Sequence, residues 1–225
     1  MASVRSVIFR NGFIYHIYNR GVERRPIFLT SRDHDRFISL LEYYRFDHVP
    51  KSYSHYLALS LAERALFRQR LDQKPLAVDI LAYCLMQNHF HILLKQNLEG
   101  GIHQFVANVA NAYAKYFNTK RHRVGPLYQG PFKAVRIETD EQLLHVSRYI
   151  HINSVVSGLV TTKGLVTYPW SSFLDYLGKT QSPFVVTKPV LDYFKTKEKY
   201  SDFVFDQVGY AKELEKIKHL ILEEV

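Results

Sequence analysis

Apolar positions follow a two-residue period in some stretches of this chain and a helical period in others, and glycine and proline mark the changes. Residues 13–20 (FIYHIYNR) are rich in β-branched and aromatic types and predict a strand that Gly21 ends. From about Ser31, the run SRDHDRFISLLEYYRF carries Phe37, Leu40, Leu41 and Tyr44 at helical spacing. Ser31 is its expected N-cap, and Asp33 and Asp35 suit the positive end of the helix. A short basic helix is predicted over residues 60–71, because Ser60 and Glu63 have capping-box spacing. Residues 78–96 (VDILAYCLMQNHFHILLKQ) are two apolar runs interrupted by Gln87-Asn88, which predicts two strands with a tight connection. After Gly100-Gly101 a long helix follows, ending in the cluster Lys115, Lys120, Arg121 and Arg123. A strand follows at about 132–137, then a helix that Thr139 and Gln142 start and Gly158 stops.

The resulting order is β-α-(helical insert)-β-β-α-β-α. It predicts an α+β fold of the ferredoxin-like kind, an antiparallel sheet backed by helices. YPWSSFLDYL is expected to pack against that sheet. Beyond Gly178 the pattern loosens, so the chain divides into a main domain, residues 1–178, and a helical C-terminal extension, residues 179–225, with its helix over about 192–224.

Composition narrows the partners. Thirty Lys and Arg against 21 Asp and Glu give a formal charge of +9, which suits a polyanion such as nucleic acid or, equally, a solvated basic surface. Sixteen Tyr and 15 Phe add rings able to stack on unpaired bases, although the spacing of most assigns them to the core. No stretch approaches the roughly 20 apolar residues of a membrane span, and Arg10, Asn11, His16 and Asn19 break any signal-peptide core, so a cytoplasmic location and no membrane partner are expected. One cysteine, Cys84, excludes an internal disulfide and a multi-cysteine zinc site.

Two local patterns carry chemistry. In MQNHFHILL, strand alternation turns His89 and His91 to one face, about 6–7 Å apart along the backbone, and Phe90 to the other. Two imidazoles so placed can share a metal, though His-x-His also arises by chance among 11 histidines. In SRYIHINSVVSGLV, Tyr149 and Asn153 are four residues apart on a helix shoulder, while Leu143, Ser147, Ile150 and Ser154 take its core face. A tyrosine there can simply pack its ring and wet its hydroxyl.

Taken in order, YHIYNRG, CLMQNHFHILL, YAKYFN, RVGPLYQGPFKAVRI, SRYIHINSVVSGLV and YPWSSF resemble the HUH-type single-tyrosine transposases, which include insertion-sequence and REP-associated tyrosine transposases. The resemblance covers about residues 13–177. It implies that His89 and His91 hold a divalent metal, Mg²⁺ or Mn²⁺, that Asn153 completes the site and that Tyr149 is the nucleophile. Many relatives have Asn-Pro where this chain has Asn153-Ser154, which alters helix rigidity but removes no ligand. Tyr113 and Tyr116 are rival nucleophiles on the preceding helix.

The implied reaction is nicking and rejoining of single-stranded or hairpin DNA through a 5′-phosphotyrosine, in DNA transposition or in processing of palindromic repeats. A tyrosine hydroxyl with an ordinary pKa near 10 is a poor nucleophile, and a metal on the phosphate would offset that. Arg20, Lys120, Arg121, Arg123, Lys133 and Arg136 are candidate phosphate contacts, each singly also readable as a solvated charge. Arg24 and Arg25 are others. Gln87 and Asn88 either orient the histidines, bind phosphate or make the turn. The DNA would be that of the nucleoid, and relatives occur both as homodimers with shared active sites and as monomers. Basic charge and aromatic rings also fit a non-catalytic ferredoxin-like nucleic-acid binder, but such a binder has no use for the set His89, His91, Tyr149 and Asn153. A metallohydrolase without a covalent tyrosine would want a carboxylate near the histidines, which NHFHILL lacks.

Overall fold

A computed structural model describes residues 7–209. Four strands form one antiparallel sheet: β1 (Ile14–Arg20), β2 (Val78–Leu85), β3 (His89–Gln96) and β4 (Lys133–Ile137), in the spatial order β2-β3-β1-β4. Helices α1 (Ser31–Tyr44), α4 (Gly101–Lys120) and α5 (Asp140–Val156) connect or follow them, giving the ferredoxin-like order expected from the sequence. The insert between α1 and β2 holds α2 (Tyr53–Ala58) and α3 (Leu61–Asp72), and the Ser60–Glu63 capping box opens the latter. Thr30 rather than Ser31 caps α1. The Asp33 carboxylate accepts from the Thr30 N–H, so the cap sits one residue earlier than expected. Thr139 caps α5 as expected, but Gln142 reaches back to the N–H of Glu138.

The sheet has helices on both faces and therefore two cores. Tyr15, Ile17, Phe90, Ile92 and Leu94 point to one face, where Phe37 of α1 and Phe105, Val109 and Tyr113 of α4 cover them. Leu93, Ala82, Cys84 and Ile137 point to the other, under Leu143, Ile150 and Val155 of α5. A bulge between Ile80 and Ala82 shifts the phase of β2. That one extra residue puts Cys84 on the α5 face, directly opposite His91.

The C-terminal segment closes this second core. Residues 170–172 and 185–186 bond along the outer edge of β2 through Leu85 N–H to Trp170 O, Ser172 N–H to Tyr83 O and Val186 N–H to Ile80 O. They thereby cover backbone groups that an edge strand otherwise leaves open. YPWSSFLDYL supplies Phe173 and Tyr176 of α6 (Phe173–Tyr176) to the core. After α7 (Lys188–Leu191) comes α8 (Lys197–Asp206), which packs Tyr200 and Val204 against α5. The Tyr200 hydroxyl meets His151 Nδ1 at 2.7 Å and donates to Ser147 Oγ at 3.2 Å. Burial pushes His151 down to about 3, so it is a neutral structural ring. Of the helix expected over about 192–224, the part after residue 209 lies outside the described residues.

Candidate active site

The strand alternation that sends Phe90 into the first core sends His89 and His91 to the opposite face, where their ring centroids are 5.0 Å apart. His91 lies directly across from Tyr18 of β1, and its ring stacks on Tyr18 at 5.7 Å. The next residue of β1 on that face is His16, one diagonal step away. His16 Nε2 and His91 Nδ1 are 2.9 Å apart, with the ring centroids 5.0 Å apart and the planes 25° from parallel. From α5, Tyr149 brings its ring edge-on to His91 at 5.4 Å and to His16 at 6.0 Å. Tyr149 and all three histidines come from one chain. The tyrosine is 47% exposed, in contrast to the buried His16 and His91 beside it.

Asn153 is one helical turn beyond Tyr149 on the same face. It is buried, and its Nδ2 has no hydrogen-bond partner. The next residue, Ser154, has its backbone beside the Cys84 thiol, and Cys84 is the register partner of His91. Asn153 is therefore one residue from the point at which α5 meets β2 beside His91. Cys84 itself is inert, because burial pushes its thiol up to about 12.

The proton positions around the pair follow from its neighbours. Asn88 donates through Nδ2 to the Arg24 carbonyl at 3.0 Å, which turns its Oδ1 to His89 Nδ1 at 2.6 Å. An amide oxygen only accepts, so His89 carries its proton on Nδ1 and keeps a bare Nε2. Burial pushes His16 and His89 down to about 4, the latter helped by the Arg20 charge. Burial also takes His91 well below the ordinary range, with His16, His89 and Arg20 adding to it. The rings are neutral near pH 7, the form that ligates metal.

Among the described residues no group of three or more His, Cys, Asp or Glu could hold a metal ion. A cation here would have two imidazoles and the otherwise unbonded amide of Asn153, whose half-turn presents Oδ1 in place of Nδ2. That donor set fits a divalent ion with several coordination positions left for water and substrate oxygen. Two nitrogen donors suit Mn²⁺ better than the harder Mg²⁺.

Beside His89 a solvent-open cleft of about 1050 Å³ runs between Arg20, Arg24, Asn88 and residues 155–163. Arg20 is the register partner of His89, so its charge sits at the cleft. Lys133, opposite Tyr18 on β4, is on the same face of the sheet. The other predicted basic residues are not with these. Arg136 is opposite Tyr15 and lies 4.1 Å over the Phe13 ring, on the α1–α4 face. Lys120 and Arg121 both bind the fully buried Asp33 carboxylate, and Arg123 donates to Asn118 Oδ1. Tyr113 donates to the Ile27 carbonyl and Tyr116 to Asp33, so both rival hydroxyls are engaged across the sheet from the histidines. His16 was the member that the sequence did not disclose. Alternation in FIYHIYNR places it on one face with Tyr18 and Arg20, but its neighbour is fixed only by the β1–β3 register.

A family model described as "Transposase IS200 like" matches residues 41–153, half of the chain, from the end of α1 to Asn153. Among solved structures, that of a REP-associated tyrosine transposase bound to a REP hairpin is similar in fold. Its TM-score is 0.53 at 18% identity, over 87% of this chain and 96% of that one. No curated protein sequence matches.

Proposed function

Since the chain belongs to the IS200-like transposase family, whose members process DNA, we propose that it nicks and rejoins single-stranded DNA beside a hairpin, with Tyr149 as nucleophile. The Tyr149 Oη attacks the scissile phosphorus, a tyrosyl O–P bond forms and the P–O3′ bond breaks. The tyrosyl proton passes to water, the leaving 3′ oxygen takes one back as a 3′-hydroxyl, and the 5′-phosphate stays on the tyrosine. The reverse attack by a 3′-hydroxyl restores a phosphodiester without an external energy source, because the bond is exchanged and not hydrolysed. A divalent ion held by His89, His91 and Asn153 would supply charge neutralisation at the phosphate. Arg20 adds a fixed positive charge at the same place, and Lys133 extends the surface along β4. Hairpin DNA is the proposed substrate class because the similar solved structure is bound to one.

The observation that carries this reading is the approach of an exposed tyrosine ring to within 5.4 Å of a neutral buried histidine beside a second one. The test is incubation with 3′-labelled hairpin DNA and Mn²⁺, then denaturing electrophoresis, the label lying on the fragment that keeps the 5′-phosphate. A protein–DNA adduct that Tyr149→Phe abolishes supports it. Tight hairpin binding with no adduct under any divalent ion would leave a non-catalytic binder.

A further inference from the structure

His89 has a dedicated orienting group in Asn88, and His91 raises the same question. At 6% exposure its ring lies among Tyr18, His16, His89 and Tyr149, and its polar contact is His16 Nε2 at 2.9 Å. At that distance one nitrogen must carry the proton and the other must accept it, since two bare lone pairs or two N–H groups would repel. Only one polarity leaves His91 able to ligate through Nε2, the one in which His91 Nδ1–H donates to His16. We infer that His16 is a positioning residue, an acceptor that holds His91 with Nε2 bare, as Asn88 holds His89. The inference rests on the metal reading above. It places one orienting partner behind each imidazole ligand, on two different elements, the β2–β3 turn and strand β1. Such outer partners fix the tautomer and the angle of a ligating ring, and their loss typically costs about 10–100-fold in metal affinity.

The geometry also says why a histidine stands at position 16. Position 16 pairs with Leu93, so a side chain there must reach diagonally by one residue step to His91. A flat ring does so edge to edge with its neighbour, the two nearly coplanar at a 25° interplanar angle, as an N–H···N bond in the ring planes requires. It also sits under Tyr149, so the same residue supports the face against which the nucleophile rests.

The experiment uses the full chain and two variants. His16→Gln keeps an acceptor in its amide oxygen, and His16→Leu keeps bulk without one. Mn²⁺ affinity is read by calorimetry. In parallel, long-range ¹H–¹⁵N correlation on histidine-labelled protein reads which nitrogen of His91 is protonated in the metal-free wild type and with Mg²⁺. Expected are a proton on His91 Nδ1 in the Mg²⁺-loaded wild type, a loss of about 10–100-fold in Mn²⁺ affinity for His16→Leu and recovery of most of it in His16→Gln. A His91 proton on Nε2 in both wild-type samples would overturn the inference, and that measurement stands even if His16→Leu does not fold. Equal affinity of wild type and His16→Leu would overturn it too, as would equal losses in both variants. Failure of the metal reading looks different: wild type and His89→Ala would bind Mn²⁺ alike, while the metal-free spectrum would still report the direction of the His91–His16 bond.

Discussion

Phe90 and His91 are neighbours on one strand and nearly equally buried, at 1% and 6% exposure, yet they belong to opposite kinds of surface. Phe90 meets Phe37 and Tyr128 in a core of aromatic and aliphatic side chains roofed by α1 and α4. His91 meets two histidines and two tyrosines, one of them Tyr149 of α5, beside an open cleft. The first face buries apolar area and answers to packing density. The second gives up part of that area to hold neutral imidazoles in place. If the histidine face is the reacting one, alternation in a single strand divides stability from chemistry, and substitutions on the two faces should fail in different ways.

The largest effect is expected on the open face and on reaction alone. Tyr149→Phe removes one hydroxyl from a half-exposed residue and keeps the ring against His91. Adduct formation on hairpin DNA should fall by at least about 10⁴-fold, with melting temperature and hairpin affinity unchanged. Because Tyr149 reaches the histidines of its own chain, mixing Tyr149→Phe with His89→Ala protein should not restore cleavage. Restoration would mean that the working site draws its tyrosine from another copy.

Next is the closed face. Phe90→Ala empties a fully buried ring position and should cost about 3–5 kcal/mol of unfolding free energy, read from denaturant midpoints. His89→Ala, at the cleft edge, should leave the same midpoint nearly unmoved while cleavage is lost. If His89→Ala proved as destabilising as Phe90→Ala, the division of labour between the faces would be wrong.

How much of this contrast a sequence can reveal depends on the range of the interaction. That His89 shares a face with His91, and Tyr149 with Asn153, was legible because strand and helix periods act over two and four residues, while their roles came only with the family resemblance. The capping signals at Ser60 and Thr139 are equally local. His16 was not legible as a site member, because it meets His91 only through a register joining residues 75 apart. Lys120 and Arg121 looked like free charges, since the carboxylate that binds them is 87 and 88 residues away. The bulge at β2 was hidden for another reason. Strand β2 is apolar on both faces, so its pattern has no phase from which a slip could be detected. The contact between Tyr200 and His151 likewise joins a tail to the middle of α5.

Asp33 gives a third, intermediate effect, confined to the closed face. Burial alone would raise its pKa, but Lys120, Arg121, the Leu29 N–H and the Tyr116 hydroxyl outweigh that and hold it well below the usual carboxylate range. It fastens the start of α1 to the end of α4. A depressed pKa contributes stability that is fully present above the ordinary aspartate value near 4 and is lost as the pH falls below it. Asp33→Asn should cost about 2–4 kcal/mol at neutral pH and flatten the acid side of the stability profile. Unfolding titrations between pH 7 and 2.5 check both. An acid limb unchanged from wild type would assign acid sensitivity to other carboxylates.

The smallest effect is the sharpest on where DNA lies, because it compares two cations of one five-residue strand. Lys133 is opposite Tyr18, on the histidine face and exposed, whereas Arg136 is opposite Tyr15, its guanidinium over Phe13 and its Nε buried without a partner. If the strand being cut crosses the histidine face, Lys133 can neutralise a phosphate and Arg136 cannot. Each phosphate contact to single-stranded DNA contributes about 0.7 to the slope of log affinity against log salt. Lys133→Ala should therefore lower that slope by about 0.7, weaken hairpin binding by a few-fold at moderate salt and leave the melting temperature alone. Arg136→Ala should keep the slope and lower the melting temperature, since it strips a packed stem and a cation–π contact. Fluorescence anisotropy of a labelled hairpin over a salt series, paired with thermal melts, reads all four quantities. A slope that falls for Arg136→Ala and not for Lys133→Ala would put the DNA on the α1–α4 face, with the sheet between it and Tyr149, and a strand so placed could not be attacked by that hydroxyl.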